Sequence, residues 1–394
     1  MKKYLPVILI LTGFLLYYLV ASQAETTPVW RKSLPYKVLY DPVKLPSGET
    51  LVLAGEKGRH EYIVYKIASD GSLAAQSQII KSSPYDPLVI GDSLVLTLYN
   101  RMIEIYNLSD LKLRWQVVAE GNFQTSPVKM TDTAFLQAVD NIIYCIDTEN
   151  NTQKWDKVFP NAILQVGADR AVVCITSGSE SVPGDFRAYA LNPENGSLLW
   201  ECPEAVRNDP PLFYGNDVIL TTAAGVLTSI NQKTGESKKL IELKGVRAIK
   251  ILDDAVLYLV TGGSGIGCVI LDSEKPKVWT ASLQRGFVEA VRIDDSLFLV
   301  DKHSLRCINI RTGYPIWIKD LKDIYMAYSV PGGIFVNHKT SFTSPIIFGK
   351  FFDAETGNVE CLAKGRSQFK QPIYQDNGIM LFSFDGSYRL MPKK

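Results

Sequence analysis

Nine short apolar runs are spaced along the chain, beginning near Leu51, Leu94, Phe135, Val172, Val218, Val256, Leu297, Ile334 and Met380. Each is four to six residues of Val, Ile, Leu and Phe between turn-forming residues, as in Asp92-Ser93-Leu94-Val95-Leu96-Thr97. Runs this short, without polar alternation, read as strands buried on both faces. No segment past residue 24 carries a long 3.6-residue apolar period. The pattern therefore predicts an all-β body.

Between these runs a phrase recurs: an apolar strand end, Asn or Asp, a turn, then often Trp. It is clearest in Asn309-Ile310-Arg311-Thr312-Gly313-Tyr314-Pro315-Ile316-Trp317. Aligning the turn position gives Gly71, Leu111, Asn151, Gly196, Gly235, Lys275, Gly313 and Gly357, at spacings of 40, 40, 45, 39, 40, 38 and 44. Four residues earlier stand Asn107, Asp147, Asn192, Asn231, Asn309 and Asp353, side chains that bond their own backbone as a strand enters a turn. Four residues later stand Trp115, Trp155, Trp200 and Trp317; Asp272 and Trp279 repeat the phrase with a connection one residue shorter. A Trp at the start of an outer strand can cover the joint between neighbouring units and donate its N–H to a backbone acceptor, which is a packing role.

A period near forty residues, with several strands per unit, is the signature of a β-propeller, whose small sheets bury their faces by stacking around a ring. The runs predict nine four-stranded blades. The last run has no following Trp phrase, but Val29-Trp30-Arg31-Lys32-Ser33-Leu34 resembles the residues around Trp317. It is expected to complete the final blade as an N-terminal closing strand, removing edges that would template aggregation.

Composition leaves this picture intact. The 42 basic and 41 acidic residues give a net charge of +1, so no basic surface for nucleic acid is implied. Residues 25–394 contain no linker or low-complexity stretch and read as one propeller domain. Residues 1–24 are different. Lys2 and Lys3 precede an apolar run from Leu5 to Val20, and Ser22 and Ala24 supply small residues for cleavage after Ala24. The segment is either a signal peptide or, through residues 4–21, an uncleaved membrane anchor. Either way the propeller is expected outside the cytoplasm, periplasmic or extracellular.

Candidate chemistry is sparse, and no catalytic, cofactor-binding or metal-ligating residue is assigned. Cys145, Cys174, Cys202, Cys268, Cys307 and Cys361 include no CxxC and no adjacent pair, and most read as small buried apolar residues. His60, His303 and His338 lack metal-ligand spacing and read as loop or strand-end residues. Gly262-Gly263-Ser264-Gly265-Ile266-Gly267 joins two strands, whereas a phosphate loop needs a following helix N-terminus, so a hairpin is expected. Asn150-Asn151-Thr152 and Asn195-Gly196-Ser197 match the glycosylation acceptor, but they fall inside the turn phrase. Asp253-Asp254 and Asp294-Asp295 recur just before an apolar strand and read as turn residues rather than Ca²⁺ ligands.

The phrase of Asn309 to Trp317, seen in part in Asp353-Ala354-Glu355-Thr356-Gly357, resembles the PQQ-like repeat. That repeat is shared by quinoprotein alcohol dehydrogenases and the BamB family of outer-membrane assembly lipoproteins. The resemblance covers nearly all of the chain after Trp30 and implies a ring of eight blades, against nine counted from the runs. For the enzymes it implies pyrroloquinoline quinone with Ca²⁺, a catalytic Asp and an adjacent-cysteine disulfide, for which this chain has no Cys-Cys pair. For the assembly proteins it implies non-catalytic docking of partner proteins through loops at one rim; their lipid-bearing cysteine has no counterpart here, the first cysteine being Cys145. The expectation is an exported, non-enzymatic scaffold, without a cofactor, that binds proteins at or near the membrane. The alternatives are a quinone-dependent oxidoreductase and a carbohydrate- or small-ligand-binding propeller.

Overall fold

The computed structural model describes residues 27–56, 58–178, 186–242, 245–260, 265–271, 277–283, 286–340, 344–376 and 378–392. The signal or anchor segment, Asp272, Lys275 and residues 262–264 of the glycine stretch lie outside them.

Among the described residues all regular structure is β, in nine antiparallel sheets of at least four strands. All nine apolar runs form the second strand of a sheet, from Thr50–Glu56 and Ser93–Thr97 to Gly333–Lys339 and Gly378–Phe382, and are buried almost throughout. Two faces of such a strand are covered only when sheets pack on both sides, so alternation is absent where the runs are most apolar. The count is nine, not the eight that the family resemblance implied.

Two compact units divide the chain. The larger, from Tyr36 to Leu283 with the turn Arg311–Gly313, holds the first six sheets. In the first of these the innermost strand is split into Lys37–Val38 and Val43–Lys44, both paired with Thr50–Glu56. Pro42 stands in the gap, where a residue with no N–H cannot continue a ladder.

The smaller unit holds the last three sheets and the N-terminal strand Trp30–Ser33. That strand pairs antiparallel with Ser387–Met391, in the register Trp30↔Leu390 to Ser33↔Ser387. The final blade thus takes three strands from the C-terminus and its fourth from the N-terminus, as the likeness of Trp30 to Trp317 anticipated. Trp30 packs edge-on against Tyr388, at 5.7 Å between ring centroids.

Candidate functional site

Residues placed identically in many blades form either a shared site or a shared joint. Every described member of the turn column has a left-handed backbone: Gly71, Leu111, Asn151, Gly196, Gly235, Gly313 and Gly357 have φ between 54° and 79°. The Asn/Asp column closes these turns. Its carbonyl accepts the turn residue's N–H in Leu111→Asn107, Gly196→Asn192, Gly235→Asn231 and Gly357→Asp353, at 2.9–3.0 Å. Its side chain accepts one or two further N–H groups, as Asp147 Oδ1 does from Glu149 and Asn150 at 2.8 and 2.9 Å.

The Trp column crosses the joint to the following blade. Trp155 donates its indole N–H to the Pro193 carbonyl at 2.9 Å, Trp200 to Gln232 at 2.9 Å and Trp317 to Ala354 at 3.3 Å. Each acceptor is the residue directly after the Asn/Asp column. The same rings lie on the turn glycines: a Cβ added at Gly196 would stand 2.7 Å from Trp155, at Gly235 2.9 Å from Trp200, at Gly313 2.8 Å from Trp279 and at Gly357 2.9 Å from Trp317. Glycine is therefore required twice there, for its φ and for the close approach of a ring.

Two joints reach the same end with other residues, which the sequence reading did not foresee. The first blade has Ala75 in the Trp column. There Lys66 Nζ donates to the Leu108 carbonyl at 3.4 Å and to Ser109. The turn residue opposite is Leu111, 1 % exposed, in the same apolar cluster as Ala75, so its side chain fills volume that a ring takes elsewhere. In the next joint the carbonyl of Thr148 accepts from the Arg114 guanidinium rather than from Trp115. The carbonyls of Leu108, Thr148, Pro193, Gln232 and Ala354 thus each meet a donor from the preceding blade, and the columns are structural.

The remaining candidates divide in the same way. Cys145, Cys174, Cys202, Cys268 and Cys307 are buried. Burial pushes the Cys145 thiol up to about 11 and raises those of Cys174, Cys202 and Cys307, which disfavours the nucleophilic thiolate. His60 is exposed in a turn and His303 lies in another. His338 stands one residue from the end of its strand, 3 % exposed and stacked on Phe348 at 5.8 Å. Burial, with the Lys350 charge nearby, lowers its pKa to about 4, so it is neutral at physiological pH. Asn150 and Asn195 lie in turns, and Asp253 and Asp294 occupy left-handed turn positions at φ 52° and 53°. Strands Ala255–Val260 and Gly265–Ile270 pair as the hairpin expected around the glycine stretch.

Glu104, Asp209 and Asp301 are buried acids outside the columns. Glu104 accepts the Tyr106 hydroxyl at 2.5 Å, and burial raises its pKa. Among the described residues no three His, Cys, Asp or Glu side chains come together as metal ligands.

A cleft of about 580 Å³ lies between the turns of the fourth and fifth sheets. Asn192, Pro193 and Glu194 form one wall and Asn231 to Thr234 another, with Arg170, Asn216 and the half-exposed Leu199 at its margins. Gln232 fixes the cleft. Its Oε1 accepts the N–H groups of Arg170 and Ala171 at 3.0 and 3.1 Å, and its Nε2 donates to Asp169 at 2.9 Å. The result is a rigid hollow with an apolar side and charges of both signs at its edge, suited to recognition of a surface.

Compared with known protein families, residues 20–203 and 160–239 match the family described as "Outer membrane protein assembly factor BamB". The chain belongs to the BamB family. No curated protein matches the chain. Among solved structures it is similar to BamB from Moraxella catarrhalis, with a TM-score of 0.54 and 12% identity over 78% of this chain and 96% of that one. A computationally designed protein, Ika8, gives a TM-score of 0.54 at 12% identity, covering 81% of this chain and 99% of its own. The dihydro-heme d1 dehydrogenase NirN, solved with DHE, gives 0.56 at 12% identity, covering 85% and 77%. At such identity these likenesses establish the fold, a β-propeller, and the same fold carries an assembly factor, a designed protein and an enzyme. Among the described residues no helix is long and apolar enough to cross a membrane.

Proposed function

We propose that this BamB-family chain is an exported, non-catalytic scaffold that binds partner proteins at or near a membrane through the turns of its blades. The observation that carries this reading is the use of the repeated residues. The Asn/Asp, Gly and Trp columns all end in turn closure and blade joints, and the turns they close, as at 192–195 and 231–234, leave exposed side chains such as Glu194 and Lys233 beside a cleft of about 580 Å³. Loops on a rigid frame supply recognition without special residue types. Residues 1–24 would direct export, as a cleaved signal or a retained anchor.

Two experiments test the separate halves. A reporter fused after Lys394 should be active only outside the cytoplasm, and cytoplasmic activity would refute export. Purified protein mixed with pyrroloquinoline quinone and Ca²⁺ should give neither stoichiometric binding nor alcohol-dependent dye reduction. Turnover would replace the scaffold with an oxidoreductase.

A further inference from the structure

A second cavity, of about 390 Å³, lies in the larger unit where Phe186, Arg207, Asn208, Asp209, Ala223 and Arg247 meet. Its residues come from distant parts of the chain, yet their backbones are tied together. The carbonyl of Thr221 accepts the Arg207 N–H at 2.8 Å, and the Thr221 hydroxyl accepts the Ala248 N–H, next to Arg247, at 3.0 Å. Thr221 is buried, so one fixed residue sets the separation of both arginine-bearing segments. Val206 N–H donates to the Phe186 carbonyl at 2.9 Å, which holds the aromatic wall beside Arg207.

The two guanidinium groups converge on a single acid. Arg247 Nε donates to Asp209 Oδ1 at 2.6 Å, and Arg207 Nε lies 3.4 Å from Asp209 Oδ2. The carboxylate is 10 % exposed, while the arginine side chains are 49 % and 39 % exposed. Asp209 thus sits beneath and the arginines open to solvent. Arg247 is hydrogen-bonded and Arg207 ion-paired to Asp209, each through Nε, which leaves the Nη groups of these part-exposed side chains as donors. Two positive charges facing one negative leave an unbalanced positive charge on the cavity wall. A pair of guanidinium forks fixed by a buried acid matches the geometry of an oxyanion. The ring of Phe186 provides a surface for an apolar body attached to that anion.

We propose that Arg207 and Arg247 bind a small oxyanion, carboxylate or phosphate, carried on an apolar group that packs against Phe186. This site is independent of the scaffold reading, since it needs no partner protein.

The test is titration of the full chain at low ionic strength with benzoate, phenyl phosphate and benzyl alcohol, followed by calorimetry and ligand-observed NMR. Both anions should bind saturably and the alcohol should not. The stronger anion then assigns the natural ligand to carboxylates or to phosphates. Arg247→Lys keeps the charge beside Asp209 but removes the fork, and should weaken anion binding about tenfold with little change in melting temperature. Arg207→Gln with Arg247→Gln should abolish binding. Failure of both anions to bind the folded wild-type chain, or undiminished binding by a folded Arg247→Lys variant, would overturn the assignment. A chain that binds the anions but no partner protein would refute only the scaffold.

Discussion

Gly196 offers the sharpest test of how the blade joints are built. Replacing it by Ala puts a side chain on a residue at φ 69°, which costs about 1–2 kcal/mol in the left-handed region. The new Cβ would also stand 2.7 Å from Trp155 Cε3, so the ring must move. Overpacking of this kind costs about 1–3 kcal/mol. Displacing the ring further strains its 2.9 Å bond to the Pro193 carbonyl, a contribution of about 1 kcal/mol. The total is about 3–6 kcal/mol. Gly215 is the control, because its φ is 58° but nothing lies within 4 Å of an added Cβ. Gly215→Ala should therefore cost only about 1–2 kcal/mol. Both lie in the larger unit, so urea midpoints read by circular dichroism compare directly. In a Trp155→Leu background the excess cost of Gly196→Ala should largely vanish. Equal losses for the two alanine variants, or an excess that survives removal of the indole, would refute this account of the joint.

Three further outcomes are expected. Leu111→Gly relieves a left-handed φ of 56° but empties a buried site, so it should lower stability by about 2–4 kcal/mol rather than raise it; a more stable variant in thermal melts would deny Leu111 its space-filling role. His338 has a folded pKa of about 4, below its unfolded 6.5, so the unfolded state binds the extra proton between those values. Stability of the smaller unit should fall by up to about 3 kcal/mol as pH drops from 6.5 to 4, and His338→Phe, measured by urea unfolding across that window, should remove this dependence. Deleting residues 28–34 unpairs Ser387–Met391 and should give aggregation or a much lower melting temperature; an unchanged melt would contradict closure by that strand.

Much of the fold was legible because its determinants are local and repeated. The runs at Leu51 to Met380 announced second strands by their lack of alternation. Gly196, Gly235, Gly313 and Gly357 announced turns because left-handed backbone favours glycine. The closing strand was legible from one residue, Trp30, whose surroundings resemble those of Trp317. What stayed hidden depends on contacts between residues far apart in the chain. Lys66 and Arg114 replace an indole N–H at their joints without any shared residue type. The paired departure of Ala75 from the Trp column and Leu111 from the glycine column was the available signal, a loss of volume in one blade matched by a gain in the next. Arg207, Asp209 and Arg247 carry no motif at all. They meet only because Thr221 holds two segments at once.

The scaffold reading is tested most directly by site-specific photo-cross-linking in intact cells. A benzophenone side chain would be placed singly at Glu194, in an exposed turn beside the large cleft, at Tyr99, 65 % exposed in a turn, and at Ile316, 51 % exposed on an outer strand. Docking through the turns predicts a discrete adduct with one membrane-associated protein from Glu194 or Tyr99 and none from Ile316. Absence of adducts from both turn positions, or capture from Ile316 alone, would contradict it.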